Sequence, residues 1–183
     1  MTSWLEPVQS EFPPAETAGV VASRWLAPAR ILVLGFGNVL LSDDGAGVQL
    51  LNRVRSELGE AAADFVDAGT LSFSLLAYVE ASSSMLVFDA AELGLAPGAV
   101  RLFEGTAMDR FLASSRRRTV HEVGLIDLLD MARLQGCLPH RRALLCIQPE
   151  RIDWSETLSA PVAESLPEAA RQANALLRRW QCA

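Results

Sequence analysis

The segment ILVLGFGNVLLSDDGAGVQLL, Ile31 to Leu51, constrains the fold more than any other part of the chain. It opens as a continuous apolar run, as in a strand buried on both faces. A glycine turn follows, then two adjacent aspartates, then a helical pattern with Val48, Leu51, Val54 and Leu58 at the right spacing and Gly59 as a stop. Nucleotide-binding loops begin this way, but they do not place two carboxylates where a phosphate sits. The dinucleotide fingerprint also needs a third glycine where this chain has Leu40. Glu57 has the spacing of a ribose-binding acid, yet it lies in the helical pattern and not at the end of a second strand. A Walker loop is excluded, because the sixteen basic residues are all arginine.

The rest of the chain continues the alternation. DFVDAGT is a second strand ending in a turn, FSLLAYVEA a short helix, and SMLVFDA a third strand. Strands alternating with helices predict a parallel sheet covered on both faces. AVRLFEG is a fourth strand. The link from Asp89 to Ala99 is too short for a parallel crossover, so this strand runs antiparallel to its predecessor if the two are neighbours. TAMDRFLAS is a weak helix, HEVGLIDLLDMARLQG a clear amphipathic one, and RALLCIQPE the fifth strand. In the closing helical stretch, Ser165 and Glu168 form an S-x-x-E box around Pro167, which predicts a kink or restart at Ser165. Residues 1–29 hold four prolines and no sustained apolar period, so an irregular extension is expected there, with Trp4 and Trp25 able to pin it. Residues 30–183 are then a single α/β domain.

Composition narrows the function. A net charge of -6 argues against nucleic acid or an anionic membrane surface as partner. No stretch approaches the roughly 20 apolar residues of a membrane span. The amino terminus lacks a basic region followed by an apolar one, so no signal peptide is expected. Three cysteines without a C-x-x-C pair fit a reducing cytoplasm, and Cys146, in ALLCI, reads as a packing residue. No G-x-S-x-G or H-E-x-x-H motif is present, nor a protease-type cysteine motif.

The acidic residues are the informative ones. Asp44 follows the first strand, Asp67 closes the second and Asp89 closes the third. Open α/β sheets bind ligands at these carboxyl ends. A single aspartate at a strand end is more often a turn former, but three at one edge point to a site. Of the two histidines, His140 lies in a short surface connection. His121 begins the amphipathic helix and can fold over the same edge. Two carboxylates and an imidazole would suit a borderline divalent cation such as Ni²⁺, Zn²⁺ or Co²⁺.

Several blocks, in order over roughly residues 30–180, resemble the [NiFe]-hydrogenase maturation endopeptidases. LGFGNVLLSDDGAGV is similar to the family's G-x-G-N-x-L-x-x-D-[DE]-x-x-G opening, DAGT to its D-G-G-T turn, LVFDA with PGAV to its strand and proline-glycine segment, HEVGLIDLL to its H-[QE] helix start, and CIQPERID with LSAPVAESLPEA to its late strand and closing helix. The resemblance implies a phosphorylase/hydrolase-like, three-layer α/β/α sandwich on a mixed, mostly parallel five-stranded sheet. It implies a cytoplasmic, monomeric hydrolase. This enzyme removes the C-terminal extension of a hydrogenase large-subunit precursor after nickel insertion, recognising the Ni²⁺ that the substrate carries. Asp44, Asp89 and His121 would then be the metal ligands. Asp44 and Asp89 are also the candidate catalytic carboxylates, either on a metal-polarised carbonyl or as general base to a water. Asp43, Asp67, Gly69 and Thr70 would touch the substrate, with the client surface extending over Leu71 to Leu75 and Arg116 to Val120. A nickel-checking chaperone that does not cut is the alternative, and a nucleotide-binding α/β module a third class.

The chain departs from the pattern in two places. Many members carry glutamate where Asp44 stands, so a metal would sit closer to the loop here, or a water would intervene. The D-G-G-T turn reads D-A-G-T, and Gly69, not Ala68, is expected to take the positive φ.

Overall fold

The computed structural model describes residues 30–69, 75–114 and 120–182, with the side chains of 120–123 left undescribed. The extension 1–29 and its tryptophans, Thr70, most of the 71–75 stretch and residues 116–119 lie outside the described residues. Five strands form one sheet in the order β2-β1-β3-β5-β4. They are β1 (Ile31–Phe36), β2 (Asp64–Gly69), β3 (Ser84–Ala90), β4 (Val100–Glu104) and β5 (Arg141–Ile147). Helices α1 (Ala46–Leu58), α2 (Leu76–Glu80), α3 (Thr106–Ser114), α4 (Val120–Leu134) and α5 (Ala160–Gln181) lie between and after them.

The continuous apolar runs of β1 and β3 are buried at every position because both faces of the sheet are covered. Ile31 and Val33 pack with α1 and α5, against Leu50, Val54, Ala173 and Leu177. Leu32, Leu34 and Phe36 point the other way, into a second core with Val79, Met108, Leu125 and Leu128 from α2, α3 and α4. This period-two division of a single strand between two cores produces the three layers. Each fully buried leucine or phenylalanine stabilises by about 1.5–3 kcal/mol relative to exposure.

β1 pairs in parallel with β2 and β3, and β3 with β5, while β4 is antiparallel to β5. The fourth strand therefore does run against the direction of β3. It is not the neighbour of β3, however, because β5 is inserted between them. The described helix α2 is shorter than the FSLLAYVEA pattern. The helix does not restart at Ser165: α5 is continuous through Pro167. The hydroxyl of Ser165 donates to the Val162 carbonyl at 2.7 Å instead of opening a new helix. Val162, Ala169, Ala173, Leu176, Leu177 and Trp180 are buried along one face of α5. Their burial holds the helix against the roughly 3 kcal/mol that an interior proline costs. Among the described residues no helix is long and apolar enough to cross a membrane.

Candidate active site

The chain runs from β1 to β2 on one side and then crosses to β3 on the other, so the sheet order reverses between β1 and β3. Ligands of open α/β sheets sit outside such a point. Asp44 follows β1 and Asp89 is the penultimate residue of β3, so the two flank it. Asp44 is 5% exposed and Asp89 3%, unusual burial for carboxylates.

Glycines bring the Asp44 turn onto this point. A Cβ on Gly47 would stand 2.3 Å from the Phe36 carbonyl oxygen and 2.5 Å from that of Phe88. Only a glycine lets the start of α1 press so close to both strand ends. The 3-10 turn Ser42–Gly45, which precedes α1 and carries Asp44, packs against β3. One Asp44 oxygen, Oδ2, accepts the Asn38 amide at 2.8 Å. Asn38 itself closes an Asx turn, its Oδ1 accepting the Leu40 amide at 3.0 Å. The buried Ser42 is a non-glycine residue at φ 51. Its amide donates to the Ser155 carbonyl at 2.6 Å and its hydroxyl to the Thr157 carbonyl at 3.0 Å. Such a conformation costs about 1–3 kcal/mol and persists only where its surroundings over-determine it.

Asp43 does not present itself to a client, contrary to the expectation from sequence. It is fully buried, and its carboxylate is spent on the protein. Oδ1 accepts the Ser159 amide at 2.7 Å. Oδ2 accepts the Ser159 hydroxyl at 2.8 Å, the Glu150 amide at 2.9 Å and the Arg151 amide at 3.1 Å. Burial works against the charge, but the donors from Ser159, Glu150 and Arg151 outweigh it and hold this carboxyl below the usual range. Ser159 is also the N-cap residue of α5, its hydroxyl turned to Asp43 and not to the helix, so the charge lies at a helix N-terminus.

Asp67 is exposed, and its Oδ1 accepts the Gly69 amide at 2.9 Å, a turn-forming bond. Gly69 has φ 50, the position the D-A-G-T turn was expected to use, and Ala68 is buried in the second core. The Gly69 carbonyl accepts the Gly37 amide at 3.1 Å, which joins this turn to the aspartate loop. Thr70 lies outside the described residues. His121 occupies the second position of α4, and its side chain is likewise outside them. No group of three or more His, Cys, Asp or Glu side chains able to hold a metal is gathered among the described residues, a set that does not include the His121 imidazole. His140 is exposed just before β5, at the opposite end of the sheet. Cys137 and Cys146 are buried, and Cys182 is exposed.

Sequence reasoning missed Asn38, Ser42 and Ser159. Asn38 follows a glycine turn, which is an Asx-turn signal, and Ser159 stands just ahead of a proline-started helix, which is a cap signal. Nothing local marks Ser42 as a residue that takes a positive φ.

Comparison with known proteins identifies the family and the fold. Residues 48–175 match the family model described as HycI, hydrogenase maturation protease. The chain is 33% identical over 152 residues to the hydrogenase expression/formation protein HoxM of Cupriavidus necator, covering 82% of this chain and 75% of that one. It is 34% identical over 154 residues to HupD of Rhizobium leguminosarum, with the same coverage of 82% and 75%. Among solved structures, the hydrogenase maturating endopeptidase HybD from Escherichia coli superposes with a TM-score of 0.73 at 26% identity, over 82% of this chain and 93% of that one. HybD from Thermococcus kodakarensis, a [NiFe] hydrogenase maturation protease, gives 0.68 at 28%, over 81% and 99%. On these grounds the chain belongs to the hydrogenase maturation protease family, whose members are endopeptidases of hydrogenase maturation.

Proposed function

We propose that this protein removes the C-terminal extension of a [NiFe]-hydrogenase large-subunit precursor once nickel has been inserted, and that it recognises the nickel the precursor carries. The observation that carries this reading is the pair of buried carboxylates, Asp44 and Asp89, on either side of the switch point between β1 and β3. Carboxylates at the carboxyl ends of neighbouring parallel strands lie where open α/β sheets bind ligands. A divalent cation offered by the substrate fits that place, and carboxylates with an imidazole suit nickel. His121, at the start of α4, is the residue that would complete the set.

Metal recognition orients the precursor so that its scissile bond lies against this edge. Asp44 or Asp89 then draws a proton from the attacking water. The Asn38 amide, already bonded to Asp44, keeps that carboxylate aimed.

The test is an intact-mass measurement on a nickel-loaded, unprocessed large subunit after incubation with the protein. Loss of a short C-terminal peptide is expected with the loaded precursor. No loss is expected with nickel-free precursor or with His121→Ala. A stable complex without mass change would overturn the protease reading in favour of a nickel-checking chaperone.

A further inference from the structure

Asp43 stands next to a candidate catalytic carboxylate, and its own carboxylate is fully buried and bonded within the protein. Its four accepted hydrogen bonds come from residues more than a hundred positions later in the chain, Glu150, Arg151 and Ser159. Those residues lie on the connection between β5 and α5. The same connection is stitched to the aspartate loop by two backbone bonds, Ser42 amide to Ser155 carbonyl at 2.6 Å and Ser155 amide to Leu40 carbonyl at 3.1 Å. The turn carrying Asp44 is thus tied to the β5–α5 connection through Asp43 and Ser42, and to its own loop through the Asn38 amide.

We propose that Asp43 is the positioning residue of the site: it clasps the 150–159 connection so that the adjoining Asp44 carboxylate keeps its aim while a polypeptide is engaged. This rests on the protease reading above. The physical argument is one of geometry. Asp43 and Asp44 are consecutive residues in a single tight turn, so a rotation of one peptide displaces the other. A displacement of about 1 Å at a reacting group can cost about a hundredfold in rate. The strained Ser42 next to them gives the turn a reason to relax once the clasp is lost.

Two readouts separate positioning from a merely structural role. The first is the split between kcat and KM for precursor cleavage. Asp43→Asn places an amide NH₂ among donors, so the clasp cannot be fully remade. We expect kcat to fall about tenfold or more while KM stays within about twofold, because the loss falls on the transition state. The second is amide hydrogen exchange measured residue by residue. The Asn38 amide, which is bonded to Asp44, is expected to exchange faster in Asp43→Asn, while the Leu86 and Val87 amides of β3 keep their wild-type protection. Ser159→Ala, which removes one of the four bonds and leaves the backbone donors, is expected to move both readouts the same way by a smaller amount.

Unchanged kcat together with unchanged Asn38 exchange in a folded Asp43→Asn protein overturns the proposal. Uniform acceleration of exchange across the sheet also overturns it, since that is plain destabilisation. If Asp43→Asn does not fold, Ser159→Ala decides by the same two criteria. A wild-type protein that leaves the precursor uncut refutes the protease reading, whereas the Asn38 exchange still reports on the clasp.

Discussion

A Cβ on Gly37 would stand 2.0 Å from the carbonyl oxygen of Asp44, and Gly37 itself has φ 129. Both facts forbid a side chain, one through the backbone conformation and one through the space. Gly37→Ala is therefore expected to push the Asp44 turn off the sheet edge. The cost in stability should be about 1–3 kcal/mol. Cleavage of the precursor should drop by more than that loss alone accounts for. Gly59→Ala is the control, because Gly59 also has a positive φ of 82 but nothing lies within 4 Å of a Cβ there. It should cost about 1 kcal/mol and leave cleavage per folded molecule intact. Urea unfolding and a cleavage assay on the same two samples check both.

The two buried aspartates should separate activity from stability. Asp89→Asn and Asp44→Asn remove a charge from nearly closed positions with little change of shape. Their melting temperatures should stay close to wild type, while peptide release falls by about a hundredfold or more. Asp44→Glu restores the residue that many members of the family carry there. It should retain cleavage within about tenfold of wild type, since the carboxylate survives and moves by one methylene. Full activity in Asp89→Asn would remove that residue from the mechanism.

How much of this was legible in the sequence follows from what each signal depends on. The strands β1 and β3 were plain, because burial on both faces writes an uninterrupted apolar run. The Gly69 turn was plain because its glycine has no substitute. The neighbours of β4 were not, because strand order depends on which crossover packs best and no local pattern encodes it. Pro167 misled for a related reason. Local rules end a helix there, and the buried face of α5 overrides them through contacts the sequence does not display. At the candidate site, the positions of Asp44 and Asp89 at strand ends were legible, and the structure places both there, buried. The burial of Asp43 was not legible, because its partners, Glu150, Arg151 and Ser159, lie on a different element. A carboxylate next to a candidate catalytic one looks like a second ligand until its donors are known.

Away from the site, Asp109 on α3 is an acid whose charge is held by its neighbours. It accepts from Arg142 on β5 at two oxygens, at 2.5 and 3.0 Å, and from Arg133 on α4 at 3.1 Å. The hydrogen bonds and charge of Arg142, with Arg133, outweigh burial and hold its carboxyl below the usual range. A folded-state pKa below the unfolded one gives stability that is fully present above the unfolded value. That stability is lost as pH falls through the folded one. Asp109→Asn should therefore lose about 2 kcal/mol at neutral pH, much of it from Arg142 left half-buried without its partner. Its stability should also fall less steeply than that of wild type below pH ~4. Urea midpoints collected from neutral pH down to the acid limit would show both. Parallel curves for the two proteins would mean that the pair does not shift on folding.

Pro167 gives a prediction of opposite sign. It stands inside α5, where it cannot donate to the carbonyl of Ala163 and its ring crowds the preceding turn. The helix tolerates it because Val162 on one side and Ala169, Ala170 and Ala173 on the other are fixed against the sheet. Pro167→Ala should restore the missing bond and relieve the crowding. A small part of that gain is returned, since proline also restricts the unfolded chain. The net expectation is a gain of about 2 kcal/mol. No effect on cleavage is expected, because Pro167 lies a full two turns along α5 from the Ser159 cap that meets Asp43. Thermal unfolding of the two proteins side by side checks it. A loss of stability would mean that the proline ring contributes packing which the missing hydrogen bond does not offset.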